Sequence, residues 1–156
     1  MRFDLLICSA IVVLDQLTKT IVMSELLPYE SVAVIPEFFR INYVLNPGAA
    51  FGIMPHQREL FILLTLGILI AAVAGYPRLK KHYPPVAVIG TMCLIGGAIG
   101  NLIDRIRFGH VVDFFDFSIW PAIFNVADIA IVVGGFICTI SILLRTEERL
   151  DQPKML

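Results

Sequence analysis

The chain has 156 residues, 58% of them hydrophobic and only 16% charged, and its mean hydropathy is +0.84. A soluble domain would carry more charge, so this balance points to a membrane protein. The net charge of −1 offers no global attraction for nucleic acid, and Cys8, Cys93 and Cys138 lie in apolar runs without CxxC spacing, which indicates neither a zinc site nor a disulfide framework.

Four apolar runs, 3–23, 59–76, 86–105 and 123–144, reach or approach the roughly 20 residues that a helix needs to cross a bilayer. The second is slightly short, which bilayer adjustment absorbs. The first does not read as a cleaved signal peptide. No small-residue cleavage site precedes Ser24-Glu25-Leu26-Leu27-Pro28, and Asp15 and Lys19 lie inside the run.

The segment 24–58 is more than a linker. "SVAVI" and "FFRINYVL" are rich in β-branched and aromatic residues. Phe39, Ile41, Tyr43 and Leu45 alternate with Arg40, Asn42 and Val44, the period of a strand with one apolar face. Pro36-Glu37 suggests a turn between the two stretches, and "NPGAAFG" predicts a tight turn at Asn46-Pro47-Gly48. A small sheet on the outer membrane surface is the expectation. The segment 106–122, with Phe114, Phe115, Phe117 and Trp120, reads as an interfacial loop with its aromatics at headgroup depth.

Basic residues set the orientation. Arg78, Lys80 and Lys81 fall in the 77–85 loop, Arg145, Arg149 and Lys154 in the tail, and Arg2 at the N-terminus. The positive-inside rule places these in the cytoplasm, with 24–58 and 106–122 outside. Small residues at helix-packing spacing (Gly67, Ala71 and Gly75; Gly96 and Gly100; Gly134 beside Gly135) are read as sites of close helix contact.

An ionisable residue inside a span costs about 2.5–3.5 kcal/mol even on the lower insertion scales, so each one needs a reason. Asp15 and Lys19 are four apart on one face of the first span; Asn101, Asp104 and Arg105 share a face at the outer end of the third; Asn125 and Asp128 share one at the outer start of the fourth. These place polar faces of three helices at one level, the outer third of the membrane. Asp113 can fold back to that level and Asn46 approaches it. Asp15 with Lys19 reads either as a structural ion pair or as chemistry, and Asp104 with Arg105 as a clamp on the first span or as part of a site. Asn125 is either an interhelical hydrogen-bonding residue or a site residue. Asp116 reads as a solvated or capping carboxylate, and His56, His82 and His110 as incidental. Once the basic residues are assigned to Asp15 and Asp104, Asp113 and Asp128 have no obvious cation. Two carboxylates meeting in an apolar site would share a proton, the electronic arrangement of an aspartic protease dyad.

The blocks "DQLTK" (Asp15–Lys19), "NPGAAFG" (Asn46–Gly52), "GGAIGNLIDR" (Gly96–Arg105) and "VVDFFDF…FNVAD" (Val111–Asp128) closely resemble the lipoprotein signal peptidases, or signal peptidase II. They come in that family's order and spacing. The resemblance implies a bundle of four transmembrane helices with a small outer β-sheet cradle and an interfacial outer loop or helix. It implies a single membrane-embedded peptidase domain in the bacterial inner membrane, with both termini cytoplasmic. The activity implied is aspartic cleavage of prolipoprotein signal peptides, N-terminal to a diacylglyceryl-modified cysteine, without metal or other cofactor. Implied partners are the lipidated precursors, membrane lipids and globomycin-type inhibitors, with the enzyme a monomer and no role for nucleic acid. By motif, Asp113 and Asp128 match the catalytic aspartates. Asn46, Asn101, Arg105 and Asn125 match substrate-binding positions, Asp15, Lys19 and Asp104 match supporting ones, and Asp116 matches a frequent residue outside the dyad. The chain departs from the family in having only Ser118-Ile119-Trp120 before Pro121, where many members carry a longer insert. The tail after Arg145 lies beyond the resemblance. A competing reading from another class is a small proton-coupled transporter, since intramembrane carboxylates also serve proton relays.

Overall fold

The computed structural model describes residues 2–48 and 57–150. Its elements are α1 (Arg2–Glu25), β1 (Ser31–Ile35), β2 (Phe39–Asn46), α2 (Arg58–His82), α3 (Pro85–Phe108), β3 (Val111–Phe117) and α4 (Val126–Leu150). All four helices are long and apolar enough to cross a membrane. They leave large apolar side chains such as Leu6, Leu17, Leu63, Ile70, Val132 and Phe136 exposed, as helices in contact with lipid do.

Each helix overruns its apolar core. Hydropathy reports the thickness of the bilayer, not the end of the hydrogen-bonded ladder. Thus α2 continues through Pro77 to His82, and most of the expected 77–85 loop is helix, built from good helix formers such as Arg78, Leu79 and Lys80. Conversely α4 starts at Val126, which leaves Asn125 just outside the helix instead of within it. The expected tail is helical as far as Leu150; its remainder, 151–156, lies outside the described residues, as do His56 and the later part of the "NPGAAFG" turn.

α3 is sandwiched between α1 and α4 and carries much of the buried surface, including Ala87, Met92, Gly97 and Leu102. Glycine permits that closeness. A Cβ on Gly97 would come within 2.4 Å of the Ala127 carbonyl oxygen, and one on Gly134 within 2.5 Å of that of Gly90. The expectation for α2 is not met. Gly67 and Gly75 have nothing within 4 Å of an added Cβ, and α2 buries none of its residues. A four-residue spacing defines a helix face but not which way that face turns, and α2 meets α3 through partly covered positions such as Phe61, Thr65, Leu69 and Ala72.

The sheet has the order β1-β2-β3, antiparallel throughout. Residues 36–38 form the β1–β2 turn, with Glu37 in the left-handed region at φ 62°. The 106–122 segment, expected as an interfacial loop or helix, divides instead into the last turn of α3, the strand β3 and a run of turns. Its first four strand residues are buried without alternation, because one set faces the polar site and the other joins Val22 and Tyr43 in a core cluster with Val112 and Phe114. A strand buried on both faces has no period-2 signature. Because β2 and β3 pair, the first and third helix connections occupy the same end of the bundle. The start of α1, the end of α4 and the short α2–α3 turn occupy the other.

Candidate active site

Two carboxylate pairs meet at the sheet end of the bundle. The first is built around Lys19. Its ammonium lies 2.9 Å from Asp15 Oδ2 and 2.8 Å from Asp104 Oδ2 and donates to Asn101 Oδ1 at 2.9 Å. All three charged residues are at most 1% exposed. Gln16 Nε2 adds hydrogen bonds to Asp104 Oδ1 at 2.9 Å and to Asp15 Oδ2 at 3.2 Å. Helical spacing puts Asp15 and Lys19 together, and Gly100 makes room, since a Cβ there would stand 2.5 Å from Asp15 Oδ2. Asp104 therefore clamps α3 to α1 through Lys19. Arg105, the other member of the expected clamp, points elsewhere.

This cluster also grips the backbone next to the second pair. Asp104 Oδ2 accepts from the Val112 amide at 3.1 Å, and Asp15 Oδ1 from the Ala127 amide at 2.9 Å. Val112 immediately precedes Asp113, and Ala127 immediately precedes Asp128. One ammonium thus bridges two acids, each of which anchors the peptide before one member of the other pair.

The second pair has amides for partners. Asp113, on β3, accepts from Asn46 Nδ2 at 2.8 Å and from Asn125 Nδ2 at 2.6 Å. Asp128, in the first turn of α4, accepts from Asn101 Nδ2 at 2.8 Å and from the Asn125 amide at 3.1 Å. Asn125 Oδ1 in turn accepts from the Asp128 amide at 2.9 Å, which completes a reciprocal capping box at the start of α4. Asn125 therefore touches both aspartates. Among the described residues, no Lys, Arg or His stands within ion-pair distance of either. Asp113 is 2% exposed; burial, then the neighbouring Asp128 carboxylate, pushes its pKa up to about 7, against the opposing pull of the Asn46 and Asn125 hydrogen bonds.

Asp113 and Asp128 open onto one cavity of about 600 Å³, shared with Asn46, Asn101 and Arg105. Beyond this polar floor the wall is apolar, with Trp120 from the turns and Ile129, Val132 and Val133 along α4. Ile129, Val132 and Val133 are substantially exposed, so the cavity is continuous with the lipid-facing side of α4. Arg105 donates to the Gly48 carbonyl oxygen at 3.1 Å. The predicted turn at Asn46-Pro47-Gly48 is closed by the Gly48 amide donating to Asn46 Oδ1 at 3.0 Å.

Sequence reasoning placed Asn125 against substrate, but it is fully buried beneath the cavity, where it orients both acids. Asn-Val-Ala-Asp has the spacing of a capping box, and that signal was legible. Gln16 was missed; its place between Asp15 and Lys19 was the available clue. Asp116 accepts from Asn42 Nδ2 at 3.3 Å. Three residues from Asp113 on a strand, it points to the opposite face.

Fold and site together define a class: a multi-pass membrane protein with a paired-aspartate cavity at one end of a four-helix bundle. The family model for signal peptidase (SPase) II matches residues 7–144. Two proteins named lipoprotein signal peptidase are similar to this chain. The one from Pelotomaculum thermopropionicum is 44% identical over 86% of this chain and 88% of its own length. The one from Moorella thermoacetica is 42% identical over 96% of this chain and 98% of its own. A solved bacterial membrane enzyme, determined in meso at 2.3 Å resolution, superposes with a TM-score of 0.90 at 33% identity, covering 100% of this chain and 95% of that one. A second, at 1.9 Å, gives 0.82 at 35% identity over 92% and 94%. The chain belongs to the signal peptidase II family, and it is a peptidase.

Proposed function

We propose that the chain removes the signal peptide from diacylglyceryl-modified prolipoproteins, cutting on the N-terminal side of the lipidated cysteine, with Asp113 and Asp128 as the catalytic pair. The observation that carries this reading is that two carboxylates, neither in an ion pair among the described residues, line one cavity whose apolar wall runs on into the lipid-facing side of α4. A membrane-anchored peptide can lie along that wall with its scissile bond at the polar floor. Anchoring in the same bilayer supplies proximity.

The shared proton is placed on Asp113, the more buried acid. Asp128, at the N-terminus of α4, sits where the helix dipole favours negative charge. Asp128 removes a proton from a water as its oxygen attacks the scissile carbonyl carbon, while Asp113 gives its proton to the carbonyl oxygen. Collapse of the tetrahedral intermediate breaks the C–N bond. Asp128 protonates the departing cysteine amine, and Asp113 recovers a proton from the intermediate's hydroxyl. Asn46, Asn101 and Arg105 hold the substrate's carbonyl or headgroup oxygens. Asp15, Lys19 and Asp104 support the pair through the Val112 and Ala127 amides.

In this reading the protein is a monomer in the bacterial inner membrane, with its sheet end outward, its termini cytoplasmic and its cavity open to globomycin-type inhibitors. Membership of the peptidase family leaves the transporter alternative without support. The test is cleavage of a lipidated precursor by the purified protein in detergent, followed by mass spectrometry. Cleavage before the lipidated cysteine, with none of the precursor carrying serine there, is expected. Equal cleavage of both would overturn the substrate assignment.

A further inference from the structure

Among the described residues that line the cavity, Arg105 is the cationic one, and it stands three residues before Phe108, the last of α3. The last carbonyls of a helix lack intrahelical partners and carry partial negative charge. A nearby arginine is drawn to them. Arg105 instead turns back along α3, as helical side chains do, donating through Nη1 to the Asn101 carbonyl oxygen at 3.4 Å and through Nη2 to that of Gly48 at 3.1 Å, and α2 holds it from the other side. Arg58, the first residue of α2, donates through Nε to the Arg105 carbonyl oxygen at 2.8 Å and through Nη2 to that of Ile106 at 2.9 Å. The Gly109 amide also donates to the Arg105 carbonyl oxygen, at 3.1 Å. The backbone at Arg105 and Ile106 is thereby tied to the start of α2. One helical turn along α2, Phe61 presents its ring to the Arg105 guanidinium, 5.1 Å from centroid to Cζ, within cation–π range. Arg58 and Phe61 are three residues apart and so share a face. Among the described residues, they bring α2 to Arg105.

We infer that the first turn of α2 is a bracket for Arg105, with Arg58 holding its backbone and Phe61 its guanidinium plane, so that its remaining donors face the substrate in the cavity. Arg58 and Phe61 are positioning residues, and the inference rests on Arg105 being a substrate-binding residue as proposed above. A guanidinium fixed by the Gly48 carbonyl oxygen and an aromatic face has less freedom to lose on binding.

The test is steady-state cleavage of a lipidated precursor by the full chain in detergent. Phe61→Leu and Arg58→Gln are each expected to raise KM on the order of three- to tenfold, the range of one cation–π contact, with kcat changed less than twofold. Phe61→Tyr restores the ring face and is expected to restore KM, which simple packing loss at Phe61→Leu does not require. In a double-mutant cycle, Phe61→Leu adds nothing further to the KM of Arg105→Gln. The bracket is overturned if Phe61→Leu leaves KM unchanged, if Phe61→Tyr fails to recover it, or if KM effects of Phe61→Leu and Arg105→Gln simply add. If Arg105→Gln itself cleaves with wild-type KM, the assignment of Arg105 to substrate fails instead; if the wild-type chain does not cleave the precursor, the peptidase reading fails.

Discussion

Asn101 links the two acid pairs of this bundle, accepting from Lys19 and donating to Asp128, and the pairs differ in one respect. Asp15 and Asp104 have Lys19 between them; among the described residues, the hydrogen-bond partners of Asp113 and Asp128 are amides. The first pair is ion-paired and sealed, so its charges serve to hold backbone. The second is hydrogen-bonded but not ion-paired, and it faces a cavity. Buried beside another acid, Asp113 is held toward its protonated form. Chemistry is available where the cation is withheld.

Four experiments would break or sharpen that contrast. The largest effect is expected at the open pair: Asp113→Asn or Asp128→Asn should each lower precursor cleavage on the order of 10³-fold or more, with thermal stability in detergent close to wild type. Near-normal cleavage by either variant would remove that residue from the chemistry. At the sealed pair the effect should fall on stability. Lys19→Met strands Asp15 and Asp104 in the bundle and should cost about 3–5 kcal/mol, read as loss of helical signal at a much lower temperature. Unchanged unfolding would show that Lys19 is not the clamp.

A third test uses pH. Asp113 titrates at about 7 in the fold against 3.8 ordinarily, so the folded chain binds more protons between those values. Stability from this group is full below pH 3.8, declines as pH rises and has gone above about 7, a change on the order of 4 kcal/mol. Unfolding measured across this range should slope downward in the wild type, and the slope should flatten in Asp113→Asn. Cleavage should likewise fall as pH rises through about 7. A wild-type and variant pair with parallel slopes would dissociate Asp113 from the effect. The smallest effect belongs to Asp116, on the opposite face of β3: Asp116→Asn should alter stability by less than about 0.5 kcal/mol and cleavage by less than about twofold. A large loss would make it a third member of the site.

Much of this was legible in the sequence for a physical reason. Apolar runs of bilayer length give spans, and an ionisable residue in such a run announces a partner or a task. Alternation gave β2, because one of its faces is more covered than the other. β3 escaped because both of its faces are covered, and α2's glycines misled because periodicity names a face without naming its neighbour.

By itself the sequence determined the four spans, the shared level of the polar residues and the two aspartates left without a cation. All of these follow from local hydropathy and from counting charges. Only the tertiary structure decided which cation serves which acid, that Asn125 lies beneath the cavity as a cap joining both aspartates, and that Arg58 and Phe61 reach Arg105. Those rest on contacts such as Asn125 with Asp113, Arg58 with the Arg105 backbone and Lys19 with Asp104, 12, 47 and 85 positions apart, and their energies depend on distance and burial, which no local pattern encodes.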